Sequence, residues 1–200
     1  MIIREPISHI AQRYENVKLI SVCDRLNRIH ELDWLNLSEL KNLTHFSLHE
    51  HFRSKSMIKE YTETISEILQ GLTEGIQNGM KLENVSLPVA QETFSSGHLE
   101  NFIKTGEKVI KSIRLVGVLK PGKRSSTGQP IIEPIKNSKA LAQISLIENI
   151  EKIELIEIPT IENGFIKQFT KCKRLITLSI SWANGFKILS RKNTIFVTLY

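Results

Sequence analysis

Cysteine is scarce in this sequence. Cys23 and Cys172 are the only two, far apart and with no C-x-x-C. That excludes a disulfide framework and a thiolate zinc site, and it predicts a reducing, intracellular setting with structural thiols. Long hydrophobic runs are missing too. No stretch of about 18 apolar residues is present, so no transmembrane helix is expected. No apolar h-region follows Met1 to Pro6, so no signal peptide is visible. Signatures of catalysis are absent as well. His49-Glu50-His51 is not H-E-x-x-H, and no G-x-S-x-G occurs. Gly122-Lys123 is followed by Arg124, which is not a P-loop. These absences predict a non-catalytic protein with no cofactor, no metal and no membrane partner.

What is present is a globular composition: 200 residues, 40% hydrophobic and 24% charged. The formal charge of +6 is unevenly spread. Lys104 to Arg124 holds seven bases and one acid, and Glu148 to Glu162 holds five acids and one base. A basic segment thus precedes an acidic one.

The recurring unit is clearest in Phe165 to Ser181. Phe165, Ile166 and Phe169 have helical spacing, and Leu175-x-x-Leu178-x-Ile180 ends in the alternation of a strand. Related apolar cores centre on Ile20, Phe46, Val85, Ile113, Ile153 and Val197. With Leu178 included, successive centres lie 26, 39, 28, 40, 25 and 19 residues apart. Helices are expected between them. Ile7, Ile10, Ala11 and Tyr14 mark the first, and Trp34 to Leu40 an irregular one. A long helix over about 56–77 stops near Gly79, and Leu99, Phe102 and Ile103 face inward from a helix capped by Ser95 or Ser96. Pro88 is expected to end the third strand. Leu141-x-x-Ile144-x-Leu146-x-x-Asn149 also fits the strand pattern, but the core at Ile153 follows too closely for both to be strands. The reading takes 140–148 as helix and Ile153 as the strand centre. A short return around Phe186 to Leu189 leads to the last strand.

A short helix feeding a short strand cannot bury both apolar faces alone, so neighbouring copies must stack. The residue between the last two apolar positions of each core should point to the other side of the sheet. Those residues are Ser21, Ser47, Ser86, Arg114, Glu154, Ser179 and Thr198, none of them apolar. Arg114 and Glu154 should lie on adjacent strands, where they have the chance to pair. The rival register would place Ser145 there instead.

The L-x-x-L-x-L cores resemble the leucine-rich repeat superfamily in its ribonuclease-inhibitor-like form, and Ala140 to Asn149 looks like that form's helical segment. Ile10 to Val22 and Phe165 to Ile180 look like the irregular repeats found behind F-box domains. The family's asparagine after the strand is mostly replaced: His51, Ala90, Val118, Ile158 and Ala183 stand there. No F-box is present. The resemblance implies an α/β solenoid, a horseshoe with a parallel concave sheet and convex helices. It also implies protein recognition, and by analogy with F-box proteins the substrate-docking half of a ubiquitin ligase.

The whole chain, 1–200, is expected to be one irregular leucine-rich-repeat-like domain. No polar cap follows Val197, so it is expected to be a piece of a longer solenoid or to dock end-on. The expected partner-binding residues of the concave face are Ser47, His49, Arg114, Glu154, Ser179 and Ser181. A second class is a nucleic-acid module using the basic segment 104–124, including loop residues Lys120, Lys123 and Arg124. A third is a metal enzyme at His45, His49 and His51, where no cysteine lies nearby to complete a site. Ser125 and Ser126 follow bases, as in many kinase sites, and Trp182 and Tyr200 are candidate contact residues.

Overall fold

A computed structural model of the chain describes residues 6–24, 31–50, 58–117, 139–158, 167–181, 186–191 and 194–199. Lys120, Lys123, Arg124, Ser125, Ser126, Trp182, His51, Tyr200, Phe165 and Ile166 lie outside the described residues. No described helix is long and apolar enough to cross a membrane.

The fold is α/β. Its sheet runs in sequence order from β1 to β8. The first six strands are β1 (Leu19–Asp24), β2 (His45–Glu50), β3 (Asn84–Val89), β4 (Ser112–Gly117), β5 (Lys152–Ile156) and β6 (Thr177–Ser181). All are parallel to their neighbours. Their register stacks the predicted cores without a slip. Ile20, Phe46, Val85, Ile113, Ile153 and Leu178 form one row, and Val22, Leu48, Leu87, Leu115, Leu155 and Ile180 form the next. All twelve are buried. Burying each such side chain contributes about 1.5–3 kcal/mol, and a slip of one residue would turn every one of them outward.

Parallel strands need crossover connections, and these supply the second layer. It consists of α1 (Ile7–Arg13), the 3-10 helix η1 (Trp34–Glu39), α2 (Ile58–Gln77), α3 (Gln91–Ser95), α4 (His98–Thr105), α5 (Lys139–Ile144) and the 3-10 helix η2 (Lys167–Lys171). Neighbouring members pack in order: α1 and α2 on η1, then α2 on α4 and α4 on α5. Ile65, Ile68, Leu69 and Leu72 of α2 are buried, and Gly79, at φ +96°, follows the helix. Trp34 of η1 meets the Phe46 ring edge-on at 6.1 Å.

Each strand of the parallel set starts in the same way. The carbonyl of the residue before one strand accepts two N–H groups at the start of the next. Lys18 takes Thr44 and His45; Thr44 takes Glu83 and Asn84; Glu83 takes Lys111 and Ser112. Lys111 then takes Glu151 and Lys152, and Glu151 takes Ile176 and Thr177, all at 2.8–3.1 Å. The pattern is indifferent to connection length. Just before it, Asn42 Nδ2 donates to Glu15 O, Asn149 Nδ2 donates to Lys108 O, and Arg174 donates to Asn149 Oδ1, each at 2.7–2.8 Å.

Several expectations are corrected. The sheet is not parallel throughout. The expected return over Phe186 to Leu189 is itself a strand, β7 (Phe186–Arg191), antiparallel to β6, and β8 (Thr194–Leu199) is antiparallel to β7. The gaps from Ser181 to Phe186 and from Arg191 to Thr194 are hairpin-sized and too short for a crossover. Pro88 does not end β3 but sits inside it, opposite Val116. The β2–β3 register stops at Ser86, so the missing N–H of Pro88 falls where that ladder is already over. Tyr14 is exposed and lies past the end of α1, whose buried residues are Ile7 and Ile10. Leu35 is likewise exposed, unlike Leu37 and Leu40. Gly97, not a serine, is the N-cap of α4, with Ser96 Oγ accepting weakly from His98 N–H at 3.4 Å.

The beginning of the fold is tied by Asp33. Helix α1 has Pro6 at its N-cap and no side-chain cap of its own. Asp33, just before η1, supplies one from a distance. Its carboxylate accepts from the backbone N–H of Ile7 (2.5 Å) and Ser8 (3.4 Å), from Ser8 Oγ (2.7 Å) and from Asn36 Nδ2 (2.6 Å). Burial alone would raise this carboxyl, but the bonds from Ser8, Asn36 and Ile7 outweigh it and hold Asp33 below the ordinary carboxylate value.

Candidate functional site

Alternation along six parallel strands leaves one face apolar under the helices. The opposite face carries Ser21, Ser47, Ser86, Arg114, Glu154 and Ser179 in a single cross-strand row. Ser21 is exposed, and Ser47, Ser86, Arg114 and Glu154 are half-buried. Ser179 shares the row but is 8% exposed, so less of it is presented than the sequence implied. Ser47 Oγ donates to Ser21 Oγ at 2.9 Å. The described part of the expected binding set thus lies on one face, with His49 exposed one level further on, beside Cys23. Register places Ser181 at that level too, opposite Ile156.

Arg114 and Glu154 are register partners on adjacent strands, as expected. The ion pair of Glu154 is a different one, however. Its carboxylate meets Lys152 Nζ at 3.0 Å, two residues back on the same strand and the same face. The Arg114 guanidinium makes no hydrogen bond or ion pair among the described residues, and its Nε is buried without a partner.

A second row precedes the first: Leu19, His45, Asn84, Ser112, Lys152 and Thr177. Its centre is a network that the sequence reading missed. The Thr44 hydroxyl donates to Lys18 O at 3.0 Å. Its oxygen is then left to accept from His45 Nδ1 at 2.8 Å, and His45 Nε2 accepts from Asn84 Nδ2 at 2.9 Å. With these partners it is Nδ1 that carries a ring proton. The signal was available: aligning Leu43-x-x-Phe46 on Leu82-x-x-Val85 puts His45 and Asn84 in one column. At the strand entrance, Lys111 Nζ binds Glu83 Oε1 at 2.8 Å, a bond that raises the Lys111 ammonium above its ordinary value.

The described bases of the 104–124 segment are spread over several elements. Lys104 is exposed on α4, Lys108 is exposed in the following turn, Lys111 is paired, and Arg114 stands on the open sheet face. Among the described residues, no three His, Cys, Asp or Glu side chains could hold a metal ion together. Cys23 is exposed. Cys172 is half-buried, donates weakly to Ser145 O at 3.5 Å, and has its thiol pushed up by burial.

The chain matches no protein-family model, no curated protein and no solved structure.

Proposed function

We propose that the protein is a non-catalytic recognition module. Its α/β repeats continue as a leucine-rich-repeat-like solenoid, and it binds a protein partner on the open face of the parallel sheet. The observation that carries this reading is the row Ser21, Ser47, Ser86, Arg114, Glu154 and Ser179, opposite two fully apolar rows. A row of hydroxyls and two charges at fixed strand spacing presents hydrogen-bonding groups without adapting its backbone. That limits the ordering entropy lost on binding. The resemblance to the repeats behind F-box domains extends the reading. The chain would supply the substrate-docking half of an intracellular ubiquitin ligase, with the F-box on another segment or subunit.

The test is quantitative affinity capture from cell lysate, comparing wild type with Ser47→Arg plus Ser86→Arg. Two long cations planted on this face should displace a specific protein partner while the circular dichroism and urea midpoint stay unchanged. Retention of every captured protein by the doubly substituted chain refutes the reading. If nucleic acid is captured instead and is stripped steeply by salt, the basic segment 104–124 is the binding element.

A further inference from the structure

On the open face of the six parallel strands, the charges sort themselves into pairs with one left over. Lys152 is neutralised by Glu154 at 3.0 Å, and at the strand entrance Lys111 is neutralised by Glu83 at 2.8 Å. Arg114 remains. Its nearest acid by register is Glu154, which is turned to Lys152, and its own Nε is buried and unpaired. That nitrogen is closed to an incoming group, so a partner is left the terminal Nη pair of the fork. A guanidinium is a planar fork that is matched by a carboxylate, which accepts two parallel N–H bonds.

Resting on the recognition reading above, we infer that Arg114 is the receptor for a single carboxylate. The partner segment that docks on the sheet carries an aspartate or glutamate side chain at that point. Ser47 and Ser86, on the strands to one side of it, supply neutral hydrogen-bonding groups for the flanking chain. Charge complementarity selects a polypeptide over nucleic acid. A phosphate backbone presents a charge at every nucleotide and is held by several cations. Among the described residues of its six parallel strands this face offers one unpaired cation, Arg114, with the Glu154 carboxylate on the adjacent strand, and the other bases that register brings to the face, Lys187 and Arg191, stand beyond them on β7. One free positive charge beside one negative charge suits one carboxylate flanked by uncharged polar chain.

The experiment selects binders from a phage-displayed random dodecapeptide library against the full chain. The peptides are fused to the coat protein through their C-termini, so any carboxylate they present is a side chain. Enriched peptides share an Asp or Glu at one position. Changing that residue to its amide weakens binding about 10- to 100-fold. Arg114→Gln weakens the acidic peptide by the same factor and leaves the amide peptide unchanged, the two losses being non-additive. Arg114→Lys recovers little, because an ammonium has no fork.

Three results overturn the inference while sparing the recognition reading: enriched peptides without an acid, indifference to the amide change, or full binding by Arg114→Gln when Ser47→Arg plus Ser86→Arg abolishes it. Peptides that bind the Ser47→Arg plus Ser86→Arg chain normally, or no enrichment at all, overturn both. Urea midpoints of Arg114→Gln and Arg114→Lys serve as the folding control.

Discussion

Replacing Asp33 should detach the first helix from the rest of the fold, and the size of the effect follows from what its carboxylate holds. Four donors converge on it: the N–H groups of Ile7 and Ser8, Ser8 Oγ and Asn36 Nδ2. Losing a helix N-cap costs about 1 kcal/mol, and a hydrogen bond to a charged group is worth about 1.5–3 kcal/mol. The donors share one partly exposed group, so water takes over part of their loss. Asp33→Ala should then destabilise by about 2–3 kcal/mol. Asp33→Asn, which keeps one acceptor but turns an amide toward the remaining donors, should cost about 1–2 kcal/mol. Since folding holds this carboxyl below its ordinary 3.8, the stabilisation is complete above that value. It is lost as pH falls through the lower, folded-state value. Urea unfolding read by circular dichroism at pH 7, 5 and 3 checks both points. The gap between wild type and Asp33→Ala should be the same at pH 7 and 5 and smaller at pH 3. A gap below about 0.5 kcal/mol at pH 7, the level of an ordinary surface substitution, refutes the capping argument. A gap that does not shrink at pH 3 refutes the charge argument.

Other substitutions probe the remaining joints. At Gly71, on the face of α2 against η1, a Cβ would stand 2.4 Å from the backbone oxygen of Trp34. Gly71→Ala should lower stability by about 1–3 kcal/mol through overpacking, despite its better helix propensity, as read from the urea midpoint. Glu157 adopts φ +54° directly after β5. Glu157→Gly should therefore raise stability by a few tenths to about 1 kcal/mol in the same assay, the relief of left-handed strain exceeding the added chain entropy. The Lys111 ammonium is raised first by its hydrogen bond to Glu83 and further by the charges of Glu83 and Glu151. Glu83→Gln should therefore move its NMR-detected titration downward, and an unchanged titration would contradict the pairing.

Much of the fold was legible because its determinant is local and periodic. The L-x-x-L-x-L cores name the buried rows outright, and Ile153 rather than Ile144 takes the strand position. The structure gives the reason: Ile144 is buried within α5, while Leu146, an apolar position of the rival strand, is 56% exposed. The open-face row followed from the same alternation over β1 to β6, but in β8 the register puts Phe196, not the expected Thr198, in line with Ser179. Pairing between side chains was less legible, since register fixes which residues are neighbours but not which rotamers meet. Arg114 and Glu154 came out adjacent, yet Glu154 pairs along its own strand. Asp33 was illegible because its donors, Ile7 and Ser8, lie 26 and 25 residues away and no sequence pattern links a cap to a helix it precedes in space but follows in the chain. The direction of β7 was missed because alternation reads the same forwards and backwards; only the length of its connections distinguishes a hairpin from a crossover.

That last point bears on where the two-layer architecture stops. A parallel step needs a connection long enough to return, and in this chain that connection carries the helix that covers the sheet. The antiparallel steps from β6 to β7 and from β7 to β8 need no return, so they add strands without adding described helices. The composition of the rows changes at the same boundary. Ile188 and Val197 still stand in line with Ile180, but Ser190 takes the place next to Leu178. From β1 to β6 that row had held only Ile, Phe, Val and Leu. The reversal at β6 therefore separates the helix-backed platform, whose open face is the candidate binding surface, from a hairpin that adds two strands and no described helix.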